Sequence, residues 1–178
     1  MAGLTDRMQA QTRNRQSVHT NSYDVPPTVP EMLVFAGDTI RFDRADLRER
    51  MDRELIAFSY MHTNSNLVIK RANRLFPVVE PILKEYGIPD DLKYLMVIES
   101  NLDPKSLSSA GAAGLWQFVQ STGREYGLEV NANIDERYNT KKATVAACKY
   151  LAEAYQKYGN WMTVAASYNG GQNGISRR

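Results

Sequence analysis

The stretch DDLKYLMVIES, residues 90–100, decides how this chain folds. Leu92, Leu95, Met96 and Glu99 recur at i, i+3, i+4 and i+7, the spacing of one helix face. A face that carries three apolar side chains therefore carries a carboxylate as well, and that carboxylate points inward. An ionised carboxylate is costly to bury alone, so such a group either pairs or takes up a proton through a raised pKa. A protonated glutamic acid is what an acid catalyst needs. Leu92, Tyr94, Leu95, Met96, Val97 and Ile98 leave little of the segment polar, so it is expected at the centre of the molecule, wrapped by other helices.

On the N-terminal side of this segment, Gly87 with Ile88 and Pro89 ends a preceding helix, and Asp90 or Asp91 is the expected N-cap. On the other side, Ser100, Asn101, Asp103 and Pro104 end the helix. The small-residue loop SLSSAGAAG (106–114) then lets backbone pass close to something, a ligand being one candidate. A short helix is predicted from Leu115 to Tyr126, closed by Gly127, with a loop over 128–138. A long helix follows over 140–158 with Ala143, Ala147, Tyr150, Leu151, Ala154 and Tyr158 on its buried side. Gly159 ends it, and Asn160 caps a last helix from Trp161 that finishes in Tyr168-Asn169-Gly170-Gly171.

Working towards the N-terminus, one helix is predicted from Asn66 to Phe76, with Pro77 starting another at its first turn. Asp43 is the expected N-cap of an amphipathic docking helix bearing Leu47, Met51, Leu55 and Phe58. MLVFAGDTIRF (32–42) suits a short extended segment with a turn at Gly37-Asp38. The first thirty or so residues are polar, end in VPPTVP and read as a flexible tail. The fold class is thus all-α, a compact array of short helices around one central buried helix. Its organisation is a polar tail with a short extended segment over 1–42 and a single domain over 43–178.

Composition excludes more than it assigns. A length of 178 residues suits one core, and a net charge of +2 with mixed signs does not announce a nucleic-acid binder. The single cysteine, Cys148, rules out an internal disulfide framework and reads as a small buried apolar residue. His19 and His62 are too scattered for a metal cluster, so neither a metal nor another cofactor is expected. No run approaches the roughly 20 apolar residues of a membrane helix. Met1 to Arg15 contains no apolar segment like a secretory leader, which leaves open a cytoplasmic protein or one whose leader has been removed.

Three separated motifs carry a resemblance: Glu99-Ser100 at a helix end, the block Gly114-Leu115-Trp116-Gln117-Phe118, and Tyr168-Asn169-Gly170-Gly171. In this order they resemble the lytic transglycosylases with a goose-lysozyme-like (SLT) catalytic domain, most closely the membrane-bound murein transglycosylase D type. The likeness covers roughly Phe76 to the C-terminus, with a weaker likeness back to Asp43. It implies a lysozyme-like fold and peptidoglycan glycan strands as partner. It implies the cell envelope, periplasm or outer membrane, as location, with membrane association through a leader or lipid anchor outside this chain. It also implies that Glu99 is the sole catalytic acid and base, that Tyr168 holds its carboxyl group, and that Ser100, Gly114, Trp116, Gln117 and Asn169 contact substrate. The family domain continues past the Tyr-Asn-Gly-Gly block, so this domain is expected to be truncated at its C-terminus.

Plainer readings stand beside these. Glu99 could be an ion-pair partner, Trp116 and Phe118 are by default core aromatics, and Asp103 and Asp135 are by default turn formers. Were either aspartate a second catalytic carboxylate, the reaction would be a muramidase-type hydrolysis. Were none of these groups catalytic, the chain would be a silent peptidoglycan-binding scaffold.

Overall fold

A computed structural model describes residues 27–170. The expected tail through residue 26, and Gly171 with all that follows it, lie outside the described residues. The fold is mostly helical with one small hairpin.

Strands β1 (Met32–Phe35) and β2 (Asp38–Arg41) pair antiparallel, Met32 opposite Arg41 and Phe35 opposite Asp38. That register puts the turn at Ala36 and Gly37, one residue earlier than expected. Both turn residues have positive φ, 51° and 90°, as a two-residue hairpin loop with the right twist demands.

Helix α1 (Ala45–Tyr60) begins after Arg44, which caps it with no side-chain bond. Asp43 is not its cap; Arg44 instead pairs with Asp46 of the first turn at 2.8 Å. None of its residues is buried, and Phe58 is 49% exposed, so its apolar stripe rests on the surface and does not enter the core.

Helix α2 (His62–Glu85) runs unbroken through Pro77 and Pro81, where two helices had been expected. Both prolines face solvent, as does Asn73, whose carbonyl loses its amide partner to Pro77. Water can satisfy the freed groups, and Leu75, Val79 and Leu83 bury the opposite face on both sides of the prolines. The helix ends as anticipated at Gly87: Ile88 donates to the Leu83 carbonyl at 2.9 Å and Gly87 to that of Lys84 at 3.1 Å.

The segment bearing Glu99 is a 3₁₀ turn (Asp90–Tyr94) running into α3 (Leu95–Ser100). Neither aspartate caps it; Asp91 Oδ2 accepts the backbone amide of Ala36, in the hairpin turn, at 2.7 Å. Leu92, Leu95, Met96 and Ser100 are buried, whereas Tyr94 is 46% and Ile98 68% exposed. The segment is thus enclosed on one side and open on the other, not wrapped all round.

The predicted helix at Leu115 is absent, and α4 spans only Gln120–Glu125. Gln117 takes a left-handed φ of 50°, and Ala113 bridges Phe118, so residues 114–117 form a tight turn instead. A 3₁₀ turn follows at Glu136–Tyr138. Helix α5 (Thr140–Tyr158) has the expected bounds, with Asn139 Oδ1 accepting the Lys142 amide at 3.1 Å and Gly159 closing it. Helix α6 (Trp161–Gly170) starts where Asn160 Oδ1 accepts the Thr163 amide at 2.9 Å.

Helix α5 lies across α2, and its small residues Ala143, Ala147 and Ala154 permit close approach. Leu83, Leu92, Leu102, Leu115 and Leu151 are all withdrawn from water, each contributing about 2 kcal/mol of hydrophobic free energy. Cys148 is buried among them, and burial pushes its thiol up to about 12.

Candidate active site

Glu99 sits in the last turn of α3 and is half-buried. Burial raises its carboxyl above the ordinary value of 4.5, and among the described residues it has neither a hydrogen-bond nor an ion-pair partner. Of the two escapes open to an inward-facing carboxylate, pairing is absent among the described residues, and burial shifts the balance towards the protonated form. The carbonyl end of a helix further disfavours a negative charge at that place.

Tyr168, on α6, donates its hydroxyl hydrogen to the Trp116 carbonyl at 2.9 Å. Its ring lies 5.3 Å from Tyr150 and 6.3 Å from Trp116. Burial first, and then the charge of Glu99, push its pKa well above 10.0, so the two groups share one electrostatic environment. With its hydrogen committed to a carbonyl, the phenol can offer Glu99 only an oxygen lone pair.

The other residues singled out from the sequence divide into wall and scaffold. Ser100 is buried, its Oγ lying 2.9 Å from the Met96 carbonyl and 3.0 Å from that of Leu115. The hydroxyl therefore ties α3 to the 114–118 turn. Trp116 is fully buried and donates its indole N–H to Thr144 Oγ1 at 3.1 Å, so no ring face is left for a sugar. Gly114 faces protein as well: a Cβ there would lie 2.0 Å from the Arg137 carbonyl. The close approach permitted by the small-residue loop is thus to the 136–138 turn. Gln117 is partly exposed, and its Nε2 donates to the Gly114 carbonyl at 2.8 Å, leaving Oε1 as an open acceptor among the described residues. Asn169 lies on α6, and its side chain is outside the described set.

Two arginines that the sequence did not single out build this site from beneath. Arg137, only 4% exposed, donates to the carbonyls of Gly111 at 2.7 Å and Phe118 at 2.9 Å. Its other nitrogens hold both oxygens of Asp135, at 2.9 and 2.6 Å, and this hydrogen bonding lowers the Asp135 pKa. Arg71 similarly binds Asp103 Oδ2 at 2.8 Å and the Asn101 carbonyl at 3.0 Å, fixing the chain just after Glu99. Both aspartates considered as second carboxylates are therefore held in ion pairs. The only local signal for Arg137 was an aspartate two residues earlier, which does not distinguish a buried guanidinium from a solvated one.

Residues 78–178 match the transglycosylase SLT domain. The chain is 30% identical over 151 residues to the membrane-bound lytic murein transglycosylase D of Escherichia coli (strain K12), covering 83% of this chain and 32% of that protein. It is 28% identical over 128 residues to the membrane-bound lytic murein transglycosylase C of Photorhabdus laumondii, covering 63% and 35%. A Yersinia pestis transglycosylase C is 27% identical over 139 residues, covering 69% and 38%. The chain thus spans about a third of the length of these relatives. No helix among the described residues is long and apolar enough to cross a membrane. With more than half of its residues matched, and the match running through both Glu99 and Tyr168, the chain belongs to the transglycosylase SLT domain family.

Proposed function

We propose that this chain is the catalytic domain of a peptidoglycan lytic transglycosylase of the bacterial cell envelope. It cleaves the β-1,4 bond between N-acetylmuramic acid and N-acetylglucosamine, with Glu99 as the single acid and base. Protonated Glu99 gives its proton to the glycosidic oxygen as the bond to the muramoyl anomeric carbon breaks. The muramoyl acetamido oxygen attacks that carbon from within the substrate, one of the exceptions to two-carboxylate glycosidases. Glu99, now a carboxylate, removes the proton of the muramoyl 6-hydroxyl as that oxygen displaces the acetamido group. A 1,6-anhydromuramoyl end forms, no water is consumed, and Glu99 regains its proton.

The observation that carries this reading is an asymmetry among acids. Among the described residues Glu99 has no hydrogen-bond or ion-pair partner and its pKa is raised, while Asp103 and Asp135 are bound to Arg71 and Arg137. A two-carboxylate hydrolase needs a second free carboxylate to activate water, and both candidates for that part are engaged. Tyr168 bounds the electrostatic environment of Glu99 and offers it an oxygen lone pair when the acid moves within reach during turnover, and Gln117 Oε1 serves as acceptor for a substrate N–H. Ser100, Gly114 and Trp116 act as positioning residues. Mass spectrometry of digested peptidoglycan tests the chemistry: anhydromuramoyl ends are expected, and reducing muramic ends would overturn it in favour of hydrolysis.

A further inference from the structure

The hairpin lies outside the residues matched to the family, yet its turn reaches both elements that carry the candidate site. The Ala36 amide donates to Asp91 Oδ2 at 2.7 Å, in the 3₁₀ turn that runs into α3. Two residues on, Asp38 Oδ2 accepts from Asn160 Nδ2 at 2.9 Å. Asn160 is the cap of α6, its Oδ1 already holding the Thr163 amide, so Asp38 orients the group that starts the helix of Tyr168. The two bonds span 55 and 122 residues of sequence. Ala36 packs against the core in a left-handed conformation that an alanine adopts only when its surroundings enforce it.

We infer that the β1–β2 hairpin is a strap fixing the placement of Tyr168 relative to Glu99, with Asp38 and Asp91 as its positioning residues. Its use in catalysis rests on the function proposed above; its mechanical part does not. A two-stranded ribbon is marginal alone, so the bonds at both aspartates, with the packing of Ala36 and the burial of Phe42, hold it in place. Besides the strap, the described residues hold α6 in place through its packing on α5 and the Tyr168–Trp116 bond to the 114–118 turn, and small misplacements of catalytic groups carry large rate costs.

The test compares Asp38→Ala/Asp91→Ala with Asp38→Asn/Asp91→Asn, which keeps an acceptor at each site. NMR ring-proton shifts of Tyr168, set by the neighbouring Trp116 and Tyr150 rings, are read with kcat and KM on peptidoglycan below the melting transition. The alanine pair is expected to move the Tyr168 shifts and lower kcat about ten-fold with KM within two-fold, and the asparagine pair to restore most of both. Unmoved Tyr168 shifts in the folded alanine pair would overturn the strap. Moved shifts with wild-type kcat would overturn its part in catalysis. Glu99→Gln in the same assay separates the two readings, because full turnover there would sink the proposed function while the ring shifts still decide the strap.

Discussion

A carboxyl group whose pKa is raised in the folded state leaves a thermodynamic mark. Glu99 binds its proton more tightly folded than unfolded, because burial penalises the charged form. The protonated group carries no penalty below the ordinary value of 4.5, and stability is lost as pH rises from there through the folded-state pKa. Glu99→Gln removes the ionisable group while keeping its shape. The variant should therefore match the wild type in melting temperature near pH 4 and exceed it near pH 8. Equal melting temperatures at both pH values would mean that Glu99 ionises without penalty. Asp135 has the opposite sign: Arg137 lowers its pKa, so its stabilisation is present above the ordinary value of 3.8 and is lost as pH falls through its lowered value.

The element that decides the site's shape is the turn at Gly114–Phe118. Its carbonyls are taken by specific donors: Gly114 by Gln117, Leu115 by Ser100, Trp116 by Tyr168 and Phe118 by Arg137. Gly114→Ala would drive a Cβ to 2.0 Å from the Arg137 carbonyl at a left-handed φ of 75°. A loss of about 3–4 kcal/mol is expected from overpacking and strain together. Gly111→Ala is the control, since a Cβ there meets nothing within 4 Å, and it should lose only about 1 kcal/mol of backbone strain. Urea unfolding midpoints check both, and equal losses would show that packing on the 136–138 turn is unimportant. This turn also shows why sequence reading went astray. Leu115 to Tyr126 has helical composition, but Gln117 is left-handed: its Nε2 donates to the Ser106 and Gly114 carbonyls, while Arg137, from across the fold, holds the Phe118 carbonyl. Helix α5, by contrast, carries its own stops in Asn139 and Gly159, and local chemistry sufficed to bound it.

At the scale of the whole molecule, the helical array and the inward Glu99 were legible because both rest on periodicity, a property of nearby residues. The roles of Trp116, Ser100 and Gly114 were not, because each depends on what lies opposite: Thr144, the Leu115 carbonyl and the Arg137 carbonyl. Pro77 also depends on its surroundings: an interior proline removes a helix bond and crowds the carbonyl one turn back, and here both prolines face solvent, where water can satisfy the freed carbonyls and the opposite face stays packed. The assembled architecture brings an acid from α3, without a partner among the described residues, and a phenol from α6 to a turn locked by two elements from elsewhere in the chain. Function follows from that convergence only if Glu99 alone moves the proton. The most direct measurement is turnover of purified peptidoglycan by Glu99→Gln beside wild type, with glycan binding measured on the same samples. Turnover is expected to be abolished while binding persists; turnover equal to wild type would contradict the assignment of Glu99 as the acid and base.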